Sequence, residues 1–294
     1  MASAVRPGHA ATFAPPPGQE VEEIVTFVGL APPAAEGTTF RAMRREERFS
    51  AILGRLADGG SVSVAELAQD LGVASATIRR DLAMLERQRL LGRTHGGAVV
   101  HAVSYELPLR YKGVRHAPEK RRIAEEAASH VMEGMAVGLT GGTTATEVAR
   151  ALADRPGLTI VTNALNIASE LAVRPNLTLV VTGGTVRGNS YELSGPLAEA
   201  SLASLNLDIV FVGVDGIEVR AGCTTHHTLE AHSNGAMIDR AGQVVVVADS
   251  SKIGHVSFAR ICPIEAITLV ITDTDADPRA VKALQDAGPE VQLV

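Results

Sequence analysis

The stretch SVAELAQDLGVASATIRRDL, residues 63–82, decides how the first third of this chain folds. Ser63 and Glu66 have the spacing of a capping box, in which a hydroxyl and a carboxylate each satisfy a backbone donor at a helix start. The helix they open carries Leu67 and Leu71 and stops at Gly72. A second helix takes Ser75 as its N-cap and turns Ile78, Leu82 and Leu85 inward, leaving Thr77, Arg79, Arg80 and Met84 toward the other side. Two helices joined across Leu71-Gly72-Val73 make a helix-turn-helix.

Upstream, Phe49, Ile52, Leu53 and Leu56 share one face of a further helix that begins near Arg44 and ends at Gly59-Gly60. Downstream, LLGRTHGGAVV has β-prone ends around Gly96-Gly97, which predicts a small hairpin, or wing, carrying Arg93 and His95. Charge follows the same boundary. The chain has 27 basic and 33 acidic side chains, yet residues 41–100 hold ten Arg against seven Asp and Glu. A helix meant for the major groove presents its first turns to base edges and phosphates, where arginine offers a rigid fork of donors. Ser75, Thr77, Arg79 and Arg80, with Arg93 and His95 on the wing, are therefore the candidate DNA-binding residues. The plainer alternative is a solvated helix whose arginines pair with Asp81, Glu86 or water.

Beyond residue 118 the chain alternates apolar runs with helical patterns. The runs AVGLT (136–140), LTIVT (158–162), LTLVVT (177–182), DIVFVGV (208–214), QVVVVAD (243–249) and AITLVIT (266–272) predict an α/β domain with a mainly parallel sheet. LTGGTTATEVA, residues 139–149, reads as strand, glycine turn and helix, with Thr144 and Glu147 spaced for another capping box. Such a turn directs amides and hydroxyls at one point, a ready phosphate site. The segments TN (162–163), TGG (182–184), GVDG (213–216) and DSSKIG (249–254) also follow strands, and strand ends of a parallel sheet line one crevice.

Composition bounds the rest. At 46% hydrophobic and 20% charged residues, the 294-residue chain has room for two globular domains. Cys223 and Cys262 have no metal-type spacing and suggest a reducing compartment. His226, His227 and His232 lie near Cys223 without a recognisable ligand pattern, so no metal and no cofactor is expected. No run approaches a membrane span and no signal core is evident, which places the protein in the cytoplasm without a membrane partner. The Ala-, Pro- and Gly-rich residues 1–43 read as a disordered tail.

Arg48 with Ile52, TIRRDL at 77–82 and RTHGGA at 93–98 together resemble the DeoR family of bacterial transcriptional regulators, over about residues 44–275. The resemblance implies a winged helix-turn-helix (44–100), a linker (101–118) and a Rossmann-like, ribose 5-phosphate isomerase-like sensing domain (119–294). Family proteins commonly begin near the position of Met43, which marks the tail as an accessory. The resemblance further implies a phosphorylated sugar or polyol effector held at Gly142, Thr143 and Thr144, with Asn163, Gly184, Asp215 and Lys252 around it. Where the family usually has Asp and Lys, this chain has Thr140 and Asn234, which alters polar contacts expected near the pocket. The function so implied is a repressor of carbohydrate-metabolism genes, a homodimer or larger homo-oligomer on a double-stranded DNA operator, and no enzyme. The competing class is a sugar-phosphate isomerase using Asp215, Glu230 and Lys252 as base and cation. Hydride transfer is disfavoured because GGTT is not the G-x-G-x-x-G of dinucleotide folds.

Overall fold

The computed structural model describes residues 43–88, 90–99, 108–113 and 115–294. The expected tail, apart from Met43, and much of the expected linker lie outside the described residues.

Helix α1 (Arg45–Gly59) starts where the Glu47 carboxylate accepts from the Arg44 amide at 2.9 Å. Strand β1 (Ser61–Ser63) leads into α2 (Val64–Asp70), whose predicted capping box is formed in both directions by Ser63 and Glu66. Helix α3 (Ser75–Arg87) follows, then β2 (Gly92–Arg93) and β3 (Gly97–Val99), an antiparallel wing that β1 joins as a third strand on the β3 side. Phe49, Ile52, Leu53, Leu56, Leu67, Ile78, Leu82 and Leu85 form one buried core. Each such side chain taken from water stabilises this small unit by about 1.5–3 kcal/mol. A largely buried ion pair between Arg48 Nε and Asp81 at 2.7 Å ties α1 to α3.

Of the next elements, α4 (Leu109–Lys112) and α5 (Ala117–Ser129) occupy what the sequence suggested was linker and domain start. The main sheet takes β4 (Ala136–Leu139), and α6 (Thr143–Leu152) returns the chain to β5 (Thr159–Thr162). Next come α7 (Leu165–Leu171), β6 (Thr178–Val181), the short pair β7 (Thr185–Val186) and β8 (Leu193–Ser194), and α8 (Pro196–Leu202). Strand β9 (Leu207–Val212) re-enters the sheet, β10 (Gly216–Glu218) and β11 (Gly222–Thr225) form a hairpin, and α9 (Thr228–Ile238) leads to β12 (Ala241–Val247). The chain closes with β13 (Ala259–Cys262), β14 (Leu269–Thr272), α10 (Pro278–Asp286) and β15 (Glu290–Leu293).

The seven-stranded sheet is parallel throughout, in the order β15-β14-β12-β9-β4-β5-β6. All six predicted runs belong to it. Successive strand residues point to opposite faces, and the two apolar clusters sort accordingly. Ile209, Phe211, Val245 and Val247 pack with α5, α6 and α7, while Val210, Val212, Val244 and Val246 pack with α8, α9 and α10. From β4 the chain builds outward to β5 and β6, then crosses back and builds the other way from β9. The reversal leaves a crevice at the C-terminal ends of β4 and β9, where open α/β sheets bind their ligands.

Candidate functional site

On α3, Arg79 and Arg80 are exposed, and among the described residues neither has an ion-pair or hydrogen-bond partner. The acids that could have neutralised them are engaged elsewhere. Asp81 turns inward to Arg48, and Glu86 lies 4.0 Å from Arg93. Of the plainer alternative, pairing with Asp81 or Glu86 is not what the structure shows, and both arginines face solvent. Arg93 and His95 are exposed on the wing, while Ser75 and Thr77 are half-buried at the start of α3. One expectation needs correction: the N-cap is Ala74, not Ser75. Ala74 has extended backbone angles and its carbonyl accepts from the Thr77 and Ile78 amides, so Ser75 is already the first helical residue.

At the reversal point of the sheet lies a cavity of about 110 Å³. Gly142 enters α6 with φ 111°, a conformation that favours glycine. The turn so made presents the first amides of α6, which have no intrahelical acceptor, to the cavity. Thr143 and Thr144 line it there, Asp215 lines it from the loop after β9, and Lys252 from the loop after β12. The second capping box is absent: Glu147 pairs with Arg150 at 2.6 Å, and Gly142 rather than a threonine caps the helix.

Two of the seven expected effector residues are not among those that line the cavity. Asn163 is fully buried behind it, donating to Asn234 Oδ1 at 2.9 Å and to Glu192 Oε2 at 3.3 Å. Gly184 follows β6, two strands away from β4, and serves the β7–β8 pair. A Cβ there would fall 2.8 Å from the Ser194 carbonyl oxygen. Thr140 and Asn234, the two departures, both tie the site together. Thr140 Oγ1 accepts from the Gly213 amide at 2.9 Å, and Asn234 bridges Asn163 and Glu192.

The sequence missed several lining residues. Lys112 and Arg115, from the segment that looked like linker, and Lys120, just inside the expected sensing domain, add three cations, and Glu192 closes the cavity beside Asn234, the departure already noted. The run YKGVRHAPEKRR, residues 111–122, was the available signal, since it is densely basic in an otherwise acidic remainder. Lys120 is buried and donates to the Lys112 carbonyl at 3.0 Å. Burial, with Lys252, Arg115 and Lys112 nearby, brings its ammonium down to about 8 despite Asp249. Burial and the same positive neighbours also lower Lys252, against Asp215 and Asp249. Burial works against ionisation of Asp215, but Lys112 at 3.0 Å, His226 and Lys252 hold it at about 2. The cavity thus gathers Lys112, Arg115, Lys120 and Lys252 beside Asp215 and Asp249, with burial lowering two of the lysines most.

Helix α4 touches both parts of the chain. Ser50 of α1 donates to the Tyr111 carbonyl, Tyr111 donates its hydroxyl to Gln88 at 2.9 Å, and its ring packs 6.2 Å from Phe49. The next residue, Lys112, bonds Asp215 in the cavity. Among the described residues no group of three His, Cys, Asp or Glu is placed to hold a metal, and no helix is long and apolar enough to cross a membrane.

Residues 48–102 match the DeoR-like helix-turn-helix domain, and residues 115–274 match the DeoR C terminal sensor domain. The chain is 38% identical over 246 residues to the HTH-type transcriptional regulator GlpR of Haloferax volcanii, covering 83% of this chain and 96% of that one. It is 35% identical over 257 residues to a putative aga operon transcriptional repressor of Escherichia coli O157:H7, covering 86% and 96%. The glycerol-3-phosphate regulon repressor of Escherichia coli K12 shares 30% over 251 residues, covering 85% and 100%. Among solved structures, the sorbitol operon regulator SorC of Klebsiella pneumoniae is 13% identical with a TM-score of 0.35, over 82% of this chain and 99% of that one. Family and relatives are regulators, which removes the isomerase alternative. A winged helix-turn-helix ahead of a parallel-sheet sensor, with sequence matches over both, makes this chain a member of the DeoR family of DNA-binding transcriptional regulators.

Proposed function

We propose that the chain represses carbohydrate-metabolism genes and that a phosphorylated sugar or polyol, bound at the ends of β4, β9 and β12, sets its affinity for the operator. The observation that carries this reading is the cavity itself, where the α6 N-terminus meets Lys112, Arg115, Lys120 and Lys252. Backbone amides and the helix dipole favour a phosphate group at that point, and the Asp215 carboxylate, which lines the cavity, supports a ligand with hydroxyls to donate. The names of the relatives, one a glycerol-3-phosphate regulon repressor, agree with such a ligand.

Ser75, Thr77, Arg79, Arg80, Arg93 and His95 are the proposed DNA contacts, and a homodimer is the smallest assembly that matches a two-fold operator. Helix α4 supplies the connection. An anion entering the cavity competes with Asp215 for Lys112, and the adjoining Tyr111 is bonded to the DNA-binding part. The effector acts through its different affinity for the two arrangements of that helix. Fluorescence anisotropy on DNA from the chain's own upstream region, titrated with a panel of phosphorylated sugars and polyols, tests the whole reading. Binding that no member of the panel alters, with no shift in the melting curve, would overturn the effector assignment.

A further inference from the structure

We propose that the cavity selects a phosphate ester that also carries a protonated amine, an amino-sugar phosphate in class, with the ammonium seated on Glu192. The proposal rests on the effector reading above and narrows its ligand.

Four carboxylates line the cavity, and three of them already have a cation, Asp249 lying 3.8 Å from Lys120. Asp215 is bonded to Lys112 at 3.0 Å, and Glu230 to Arg187 at 2.8 Å and to the Ser190 hydroxyl. Glu192 is only 6% exposed and has none. Its two hydrogen bonds come from the neutral amides of Asn163 and Asn234, and both end on Oε2. Among the described residues Oε1 has no hydrogen-bond partner, although Glu192 lines the cavity.

That oxygen lies against the phosphate turn. A Cβ on Gly141 would fall 2.2 Å from it, so glycine at this position leaves room for the carboxylate one residue before Gly142. A ligand small enough for the cavity therefore meets the α6 N-terminus and Glu192 at once.

The charges acting on Glu192 are Glu230 and Asp215, both negative. Burial, then Glu230, pushes its carboxyl up to about 8, against the two amides. At neutral pH such a carboxyl keeps its proton. An arriving ammonium gives it the counter-ion that the protein withholds, and the proton leaves to solvent. Release costs about a factor of ten in affinity at pH 7, less than a charge-assisted hydrogen bond in a closed cavity returns. A hydroxyl in the same place supplies no such charge.

Calorimetric titration of the full chain with matched probes tests this: glucosamine 6-phosphate against glucose 6-phosphate, and galactosamine 6-phosphate against galactose 6-phosphate. In at least one pair the amine should bind about tenfold tighter or more than its hydroxyl twin. Glu192→Gln, of nearly the same shape, should erase the preference while the hydroxyl twin still binds. Asn234→Lys, which sets an internal ammonium beside Oε2, should erase it as well. Twins that bind equally, or an amine preference that survives Glu192→Gln, overturn the proposal and leave the effector reading standing. If neither these probes nor any other phosphate ester binds, that reading falls and takes this one with it.

Discussion

The chain carries two concentrations of positive charge, and they are built in opposite ways. Arg79 and Arg80 stand exposed on α3 with no partner among the described residues. Lys120 and Lys252 sit among other cations at the cavity, where burial and mutual repulsion lower both. Exposed charge of the first kind suits a long polyanion and is weakened by salt. Crowded charge of the second kind suits one compact anion and is largely shielded from salt. On the proposed function, one protein would read two phosphates, the backbone of a duplex and the ester of a metabolite, through sites that differ in how much water each keeps.

Salt gives the sharpest contrast. Operator affinity should fall by about 10³-fold or more between about 50 and about 200 mM salt, while the affinity for a phosphate ester falls by only about threefold. Equal slopes in the two titrations would erase the distinction. Next in size, the Arg79→Ala, Arg80→Ala double variant should bind the operator about 100-fold more weakly with an unchanged melting temperature. Undiminished binding would remove α3 from the DNA face.

On the buried side, Lys252→Ala should weaken the phosphate ester by about 10- to 100-fold in calorimetry and leave ligand-free operator binding as it was. Tyr111→Phe cuts the bond to Gln88 and should keep both affinities while reducing the effector's influence on DNA by about 5-fold, read as anisotropy with and without ligand. A last contrast is read in stability. Glu192 moves from 4.5 in the unfolded chain to about 8 in the folded one, so the folded state holds a proton the unfolded state sheds. Stability should therefore decline as pH rises from about 4.5 to about 8, and Glu192→Gln should remove that part of the decline. A denaturant series at four pH values decides it.

Much of this was legible in the sequence because local rules governed it. The β-branched run of β12 and the apolar faces of α1 and α3 each determine their element without help from distant residues. Strand β15, sequence EVQL, was missed because its alternation is short and polar, and only its parallel partner β14 makes it a strand. The turn into α6 was readable from Gly142, Thr143 and Thr144, since a glycine entry to a helix is a local device. Lys120 and Glu192 were not. A lysine on a helix and a glutamate in a loop look ordinary until strands far apart in sequence enclose them. Gly184 erred for the same reason in reverse: its TGG follows a strand end, but strand order places that strand at the sheet's edge.

The inward turn of Asp81 reaches beyond the packing of α1 on α3. An acid next in sequence to Arg80 would, if turned outward, dilute the field that draws DNA, and Arg48 keeps it confined at 2.7 Å. A neutral residue at 48 would let that carboxylate swing toward bound DNA, so DNA affinity would weaken through repulsion even in a domain that stayed folded.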